Sequence, residues 1–459
     1  MTGSAPTGRS ALLAGVAAIA LCACSAAPRY ERPSLAQPDT WHNADQPPSP
    51  EWPAADWWRA FSAPQLDALI LQARQHNFDL AAASDRIRQA DADLQIAHAQ
   101  LLPAVALDAQ WVHGPATSRE SRGSLATLDA SYELDFWGKN RAGVAAARAS
   151  ALASRYDRAT LGLSIDSSVA LTYFEVLALH DQMSIATNDL SSAERLLKIL
   201  QAREAAGVSS ALDVAQQDTA VATANARIPP IEAQLQQSTD ALALLTGALP
   251  ESLVIPDGSL ADLAVPPISA GIPSELLSRR PDVAEAEAQL VAANANVAAA
   301  HAAFLPSVQL TAEGGVASTA LTNLLHPQST LFALVASITQ SIFDGGELRG
   351  QYQKSQARYD ELVQLYRKAA VSAFVDVEDA LTGANHFAEE ERRQQRATTA
   401  AQRAYDISVA QLRAGTIDLV TVLTAQTALF SAEDALVSAR LAQLQAEVSL
   451  YRALGGGWQ

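Results

Sequence analysis

The chain contains one sequence pattern twice. Residues 79–109 and 282–312 align at a constant offset of about 200 residues, and each copy carries an Ala-His-Ala triplet followed by Leu-Pro. Solenoid repeats recur every 20–50 residues, so this spacing is too long for a solenoid and indicates a duplicated half-domain. We therefore expect a fold with internal pseudo-symmetry, in which function lies where the two copies face each other.

The first residues have the pattern of an export signal. Arg9 precedes an apolar run over residues 11–23 that is too short to span a bilayer as a helix. Its end, Leu21-Cys22-Ala23-Cys24, resembles a bacterial lipoprotein signal in which Cys24 becomes the lipidated first residue, and Ser25 then favours the outer membrane. An ordinary cleaved signal is the alternative. We predict a signal peptide over 1–23, with a covalent lipid on Cys24 and no other cofactor.

Residues 24–64 are predicted to form a lipid anchor and a strap. The segment is rich in proline and carries four tryptophans, Trp41, Trp52, Trp57 and Trp58. Four indoles in so short a stretch favour a strap docked along the outside of the body, and a disordered tether is the alternative.

Composition excludes several classes of function. The net charge of −17 argues against nucleic acid or anionic lipid as the main partner. Both cysteines lie in the signal region, so no disulfide framework or thiol chemistry is expected downstream. The sequence has no serine-hydrolase, zinc-protease or phosphate-loop motif, and its eight histidines lack ligand spacing. We predict neither an enzyme nor a metal site.

Four segments alternate apolar and polar residues with period two, the pattern of strands with one wet and one apolar face. The predicted strands cover 103–113, 125–136, 306–315 and 331–343, and each has about the length that a tilted strand needs to cross a bilayer. A soluble four-stranded sheet lying on helices is the alternative. The acidic residues of the predicted wet faces would line a barrel lumen: Asp108, Asp129, Glu133, Asp135 and Glu313.

After each strand pair comes a very long helical hairpin. The first limb, 141–206, would be about 100 Å long at 1.5 Å per residue. It turns at 207–209, and the returning limb is interrupted by Pro229-Pro230, where a kink is expected. The second hairpin turns at 415–417. The predicted domains are repeat 1 over 65–249, a proline-rich linker over 250–273, and repeat 2 over 274–457.

Four strands cannot close a barrel, and open sheet edges in hydrocarbon leave unpaired backbone groups that cost several kcal/mol each. If the strands cross a membrane, several chains must therefore pool them. Two chains would give eight strands with little lumen, and three would give twelve strands with a channel.

The strand–helix junctions resemble those of TolC-like outer-membrane factors. The matching residues are 132–139 (YELDFWGK), 272–277 with 280–282, and 342–346 (IFDGG). With the lipoprotein signal, the chain resembles the NodT-type lipoproteins that serve resistance-nodulation-division efflux pumps. The resemblance implies a mainly α fold with a transmembrane β-barrel part: a homotrimer with a twelve-stranded outer-membrane barrel and a twelve-helix periplasmic tunnel.

The resemblance also implies a function. The protein would be the passive exit duct of a tripartite pump, releasing drugs or other small solutes delivered by an inner-membrane pump through a periplasmic adaptor. A type I secretion duct and a non-channel periplasmic coiled-coil scaffold are the alternatives.

In such channels the tunnel narrows near the hairpin turns. Asp213 matches the family's first-hairpin aspartate, whereas Thr421 and Thr424 stand where the second hairpin often has Asp. These three residues and Gln216 are the predicted periplasmic aperture. The turns themselves are the predicted adaptor-docking sites, at Gly207, Ser209, Gly415 and Thr416.

Overall fold

A computed structural model describes residues 30–35, 37–43, 52–113, 122–266, 270–456 and 458. The described chain divides into two units. Unit 1 comprises residues up to 35 with 85–156 and 285–369, and unit 2 comprises 36–84, 157–284 and 370–459. Cys24, the predicted lipidation site, lies outside the described residues.

Nine α-helices and four strands occupy the described segments, in an order that repeats once. The first copy consists of α1 (Pro64–His76), α2 (Phe78–Ala99), β1 (Ala104–His113), β2 (Arg122–Leu134), α3 (Lys139–Ala205), α4 (Ala211–Ala226) and α5 (Ile228–Thr246). The second consists of α6 (Pro273–Arg279), α7 (Pro281–Ala302), β3 (Ser307–Ser318), β4 (Thr330–Thr339), α8 (Glu347–Arg413) and α9 (Leu419–Ala453). The duplication seen in the sequence is therefore also a duplication of elements.

Unit 1 contains one four-stranded antiparallel sheet in the order β1-β2-β3-β4. Three strands differ from their predicted bounds by more than one residue: β2 runs from Arg122 to Leu134, β3 ends at Ser318 instead of 315, and β4 ends at Thr339 instead of reaching 343. After β2 and after β4 an aspartate accepts backbone N–H groups at the start of the following long helix, Asp135 for α3 and Asp344 for α8. Capping by these side chains ends the extended conformation earlier than the alternation predicts.

One helix is broken where the sequence predicts continuity. Residues 65–99 alternate alanine with polar residues at helical spacing, which predicts one helix, but the helix divides at Asn77, which is 5% exposed. The Asn77 Oδ1 accepts the N–H of Asp79 at 2.9 Å, and its Nδ2 donates to the carbonyl of Leu245 at 2.9 Å. The returning limb also breaks at Arg227, between α4 and α5, where Pro229 and Pro230 remove two backbone donors; this confirms the predicted interruption.

The core of unit 2 is aromatic at its centre. Trp57 and Trp58 are 2% and 1% exposed, and Trp57 stacks on Tyr451 at a centroid distance of 5.0 Å. This end of the predicted strap therefore lies inside the core, and the prediction that it lies along the outside was wrong for these two residues. Trp41 is also docked, since its indole N–H donates to the carbonyls of Ala270 and Gly271.

In unit 1 the first described residues of the predicted anchor and strap segment contact α7. The Tyr30 hydroxyl donates to Glu287 Oε1 at 3.2 Å, and Arg32 Nε donates to the same oxygen at 2.8 Å. Residues 30–32 are therefore held by one carboxylate.

Candidate functional site

The sheet of unit 1 has two chemically different faces. Directly opposed residues of antiparallel strands lie on the same face. Asp129 is opposite Ala106 on β1 and Glu313 on β3, while Asp108 is opposite Thr127. The register places four of the five predicted lumen acids on a single polar face: Asp108, Asp129, Glu133 and Glu313.

The other face of the sheet is apolar and lacks cover within the described chain. Leu107 on β1 is 75% exposed and Phe332 on β4 is 78% exposed. Soluble monomers rarely expose a contiguous apolar surface of this kind. The residues that share this face include Val105, Leu107, Leu128, Ala130, Leu310, Phe332, Leu334 and Ile338.

Two polar contacts order the wet face. The Thr127 hydroxyl donates to Asp129 Oδ2 at 2.9 Å, and Lys139 Nζ pairs with Glu133 Oε1 at 2.6 Å. Of the four acidic residues on this face, Glu133 thus has a lysine partner. The face has the composition of a water-filled lumen with an excess of negative charge.

Asp135, the fifth residue predicted to line the lumen, does not lie on a strand. Its carboxylate accepts the backbone N–H groups of Asn140 at 3.2 Å and Arg141 at 2.9 Å, and Arg141 Nε lies 3.2 Å away. Asp135 therefore caps the N-terminus of α3, where a negative charge is stabilised by the positive end of the helix dipole. The prediction that Asp135 lines the lumen was wrong, because the strand alternation does not continue past Leu134.

In unit 2, the first hairpin turns at Gly207, which has φ of +71°. The N–H of Gly207 donates to the carbonyl of Glu204 at 2.8 Å, and the N–H of Val208 donates to that of Arg203 at 2.8 Å. These bonds end α3 with the left-handed residue that glycine favours. Arg203 Nη1 also donates to the carbonyl of Leu412 at 3.0 Å, linking the first hairpin to α8.

Asp213, the predicted aperture acid, is engaged in a capping box. Its Oδ2 accepts the backbone N–H of Ser210 at 2.9 Å and the hydroxyl of Ser209 at 3.0 Å, while the Asp213 N–H donates to Ser210 Oγ at 3.1 Å. Hydrogen bonds from Ser210, with a smaller effect of Arg203, hold the pKa of Asp213 below its usual value. Asp213 is therefore an ionised carboxylate at neutral pH.

The second hairpin turns at Gly415, with φ of +74°, and the Thr416 N–H donates to the carbonyl of Gln411 at 3.0 Å. Asp418 then caps α9 by accepting the N–H of Thr421 at 2.9 Å and its hydroxyl at 2.6 Å. These two bonds lower the pKa of Asp418. Thr421 thus uses its hydroxyl for the cap, and Thr424 donates to the carbonyl of Val420 at 2.9 Å.

The second turn carries a carboxylate, Asp418. The comparison with the family pattern points instead to Thr421 and Thr424, the positions where the family often has Asp. The negative charge of Asp213 raises the pKa of Asp418 against the larger lowering effect of its own cap. The signal in the sequence was the Asp-x-x-Thr spacing of residues 418–421, a helix N-cap pattern. Gln216 is half-buried on α4.

Metal binding finds no support in the described segments, which contain no group of three or more His, Cys, Asp or Glu residues arranged to hold an ion.

Known proteins resemble the chain over nearly its whole length. The Pyoverdine export outer membrane protein OpmQ of Pseudomonas aeruginosa is 40% identical over 96% of each chain, and the Toluene efflux pump outer membrane protein TtgF of Pseudomonas putida is 32% identical over 96% of this chain and 95% of that one. The open-state structure of the Neisseria gonorrhoeae MtrE outer membrane channel, 29% identical, matches with a TM-score of 0.87 over 94% of this chain and 98% of that one.

The fold is that of TolC-like outer-membrane channels, the location is the outer membrane, and the role is that of an efflux channel component. A family model described as outer membrane efflux protein matches residues 69–248 and 272–456, and the chain belongs to the outer membrane efflux protein family.

Proposed function

We propose that three copies of this chain assemble into a closed duct that forms the outer-membrane end of a tripartite efflux pump. The observation that carries the proposal is the four-stranded sheet with one apolar and one polar face, in which β1 and β4 each pair with a single strand of the described chain. Hydrocarbon tolerates no unpaired strand edge, so each β1 edge requires the β4 edge of another copy. Three copies give a twelve-stranded barrel wide enough for solutes.

An inner-membrane pump of the resistance-nodulation-division class would supply the solutes, through a periplasmic adaptor that docks at the hairpin turns. The exposed apolar residues at these turns support docking there: Val208 and Leu212 on the first hairpin are 64% and 65% exposed, and Val420 on the second is 53% exposed. Apolar residues on otherwise polar helix tips are typical of protein contacts.

The cargo would be small organic solutes. OpmQ is named for pyoverdine export and TtgF for toluene efflux, and the higher identity is to OpmQ. We therefore expect a secreted metabolite or drug to leave through this duct. The negative lumen face would favour cationic or neutral solutes in passage.

A lipid on Cys24 would add a second anchor to the barrel. Each buried acyl CH₂ contributes about 0.8 kcal/mol, so a multiply acylated N-terminus would not leave the membrane. Growth with labelled palmitate should label the chain and leave Cys24→Ser unlabelled, while Cys24→Ser should still form the barrel. Labelling of Cys24→Ser would refute the assignment.

The duct is tested by reconstitution. Purified protein in planar bilayers should give single-channel conductance, and on gels it should run as a trimer that heating converts to the monomer. Asp213→Ala should change the conductance if this residue lines the aperture. A detergent-free monomer without conductance would refute the proposal.

The partners are tested by crosslinking. Photo-crosslinkers placed at Ser209 and Thr416 should capture a periplasmic adaptor, and crosslinkers at two exposed controls far from the turns, Glu361 and Gln356, should not. Capture of the adaptor of an ATP-driven secretion system would instead identify a type I secretion duct. A clean negative at both turns would refute docking at the tip.

A further inference from the structure

A cluster of charged side chains in unit 2 joins the two helical hairpins away from their turns. Arg227 lies at the break between α4 and α5, Asp189 on α3, and Asp434 on α9. The Arg227 Nη1 atom lies 3.7 Å from Asp189 Oδ2, and its Nη2 donates to Asp434 Oδ2. One guanidinium therefore ties both limbs of the first hairpin to the returning limb of the second.

These three residues lie at one level of the hairpins. Asp189, Arg227 and Asp434 are each about 20 residues from the nearer hairpin turn, so at 1.5 Å per residue they lie about 30 Å from the turns. The cluster is separate from the aperture and capping residues of the tip. It couples the hairpins at a point where a small rotation would be amplified at the turns.

The cluster is unbalanced in charge. Two further carboxylates, Glu433 and Asp434, act on Asp189 with like charge, and Arg227 is the cation that pairs with Asp189 and with Asp434. Asp189 is only 5% exposed, and its Oδ2 accepts no hydrogen bond. A buried oxygen without a donor is a poor site for negative charge, because it has lost water and gained no hydrogen bond in return.

The proton affinity of Asp189 reflects this environment. Burial, followed by the negative charge of Glu433, raises the pKa of Asp189 to about 8, and Arg227 only partly opposes the shift. Burial also raises the pKa of Glu433. On α8, burial raises the pKa of the Tyr405 phenol, which feels the positive charge of Arg195 on α3 as well as the negative charge of Asp189.

We propose that Arg227 and its carboxylates form a proton-dependent lock between the two hairpins, closed while Asp189 carries a proton and loosened as it ionises. The lock rests on the proposed duct, whose opening it would regulate. An arrangement of the helices that exposes Asp189 to water restores its ordinary proton affinity, so ionisation favours that arrangement over the locked one.

The direction of the pH effect follows from linkage. The locked state binds the Asp189 proton more tightly than a water-exposed state does, so its advantage is complete near pH 4 and below. The advantage decreases as the pH rises from about 4 to about 8, where the locked form also ionises. Rising pH should therefore open the hairpin pair, and falling pH should close it.

The backbone at Arg227 allows such a movement. Pro229 and Pro230 lack the N–H groups that would continue the helical ladder across the break, so this point is easier to bend than an unbroken helix. Arg227 is the residue at the break, so the proposed lock acts at the point where the first hairpin bends most easily.

Distance measurement tests the lock directly. Spin labels on Thr223→Cys and Ser431→Cys, both exposed and about one turn from Arg227 and Asp434, would report the separation of α4 and α9. The lipidated trimer, diluted with unlabelled copies, should show a longer-distance population that grows several-fold between pH 5.5 and 9.

The variants separate the lock from general charge effects. Asp189→Asn, a neutral isostere, should keep the short distance at every pH. Asp218→Asn removes the same charge from an exposed position on α4 and should titrate like the wild type. Arg227→Gln should show the longer distance even at acid pH. Each variant must first show the heat-modifiable trimer.

A wild-type spin-label distance that does not change with pH, or an Asp189→Asn variant whose distance changes with pH like that of the wild type, would overturn the proposed lock. Bilayer conductance of the same samples distinguishes this failure from failure of the duct. Conducting trimers without a pH-dependent distance would refute the lock alone, and a pH-dependent distance without conductance would refute the duct.

Discussion

A charge placed on the apolar face of the sheet should block assembly, whereas the same charge on the neighbouring residue should not. Leu334 is the fifth of ten residues in β4 and is 68% exposed, and it lies opposite Ala312 on the apolar face. Val335, the next residue, is 53% exposed and lies opposite Thr311 on the polar face. The two positions differ in face and hardly at all in depth.

The expected free-energy cost of the substitution follows from the depth of the side chain in the bilayer. An arginine facing lipid at the bilayer midplane costs about 2–4 kcal/mol, whereas substitutions facing the lumen change selectivity. Each 1.4 kcal/mol is tenfold in an equilibrium constant. Leu334→Arg should therefore disfavour insertion of each copy by roughly 30- to 700-fold, and a trimer contains the substitution three times. Val335→Arg should assemble at close to the wild-type level and shift the ion selectivity of the pore toward anions.

The assay is the amount of heat-modifiable trimer in outer-membrane fractions, normalised to total chain, with single-channel selectivity measured for whatever assembles. Sequence alternation in β4 is the least regular of the four strands, so the assignment of its faces depends on the register with β3. Normal assembly of Leu334→Arg together with failure of Val335→Arg would show that the faces are reversed, and equal tolerance of both would show that the sheet does not meet lipid.

Three further substitutions test the packing and the caps. Arg74→Met should destabilise unit 2 by about 3–5 kcal/mol in urea unfolding, because it leaves the buried carboxylate of Asp166 without its ion pair, and adding Asp166→Asn should recover most of the loss. Gly247→Ala should lower the Tm more than Gly415→Ala: both have positive φ, but only at Gly247 would a Cβ lie 2.3 Å from a backbone oxygen. Asp213→Asn should weaken the first turn of α4 by about 1 kcal/mol at pH 7, seen as faster proteolysis at the tip. Since the pKa of Asp213 is depressed, its contribution is present above pH 4 and should disappear as the pH falls below that value.

The parts of the fold that sequence predicts well are those fixed by periodicity. Strands and long helices follow from the period of apolar residues, and register then follows because a slip of one residue would reverse the faces. Helix and strand ends are predicted less well. Asp135 continues the alternation of β2 in sequence, yet its carboxylate caps the N-terminus of α3 by accepting the backbone N–H of Arg141. This contact is between near neighbours in sequence, but the residue pattern there fits a continued strand equally well.

Contacts between distant residues account for the remaining differences. The break at Asn77 depends on a hydrogen bond to the carbonyl of Leu245, which is 168 residues away and absent from any local pattern. The tryptophans of the strap predict docking, but the depth of Trp57 is set by its stacking on Tyr451, which is far away in sequence and near only in three dimensions. The cap at Asp418, in contrast, has a local signal, because its spacing to Thr421 is that of a helix N-cap.

The two repeats differ in the returning limbs of their helical hairpins. The returning limb of the second hairpin, α9, is a single helix of 35 residues, whereas that of the first is divided at Arg227 into helices of 16 and 19 residues. A duplicated unit with identical limbs would share any bending equally. Because the proline pair softens only the first hairpin, bending should concentrate there, and Arg227, which pairs with both Asp189 and Asp434, sits at that break. The two repeats thus share one architecture, and the break at Arg227, which the second repeat lacks, is where we expect the first hairpin to bend.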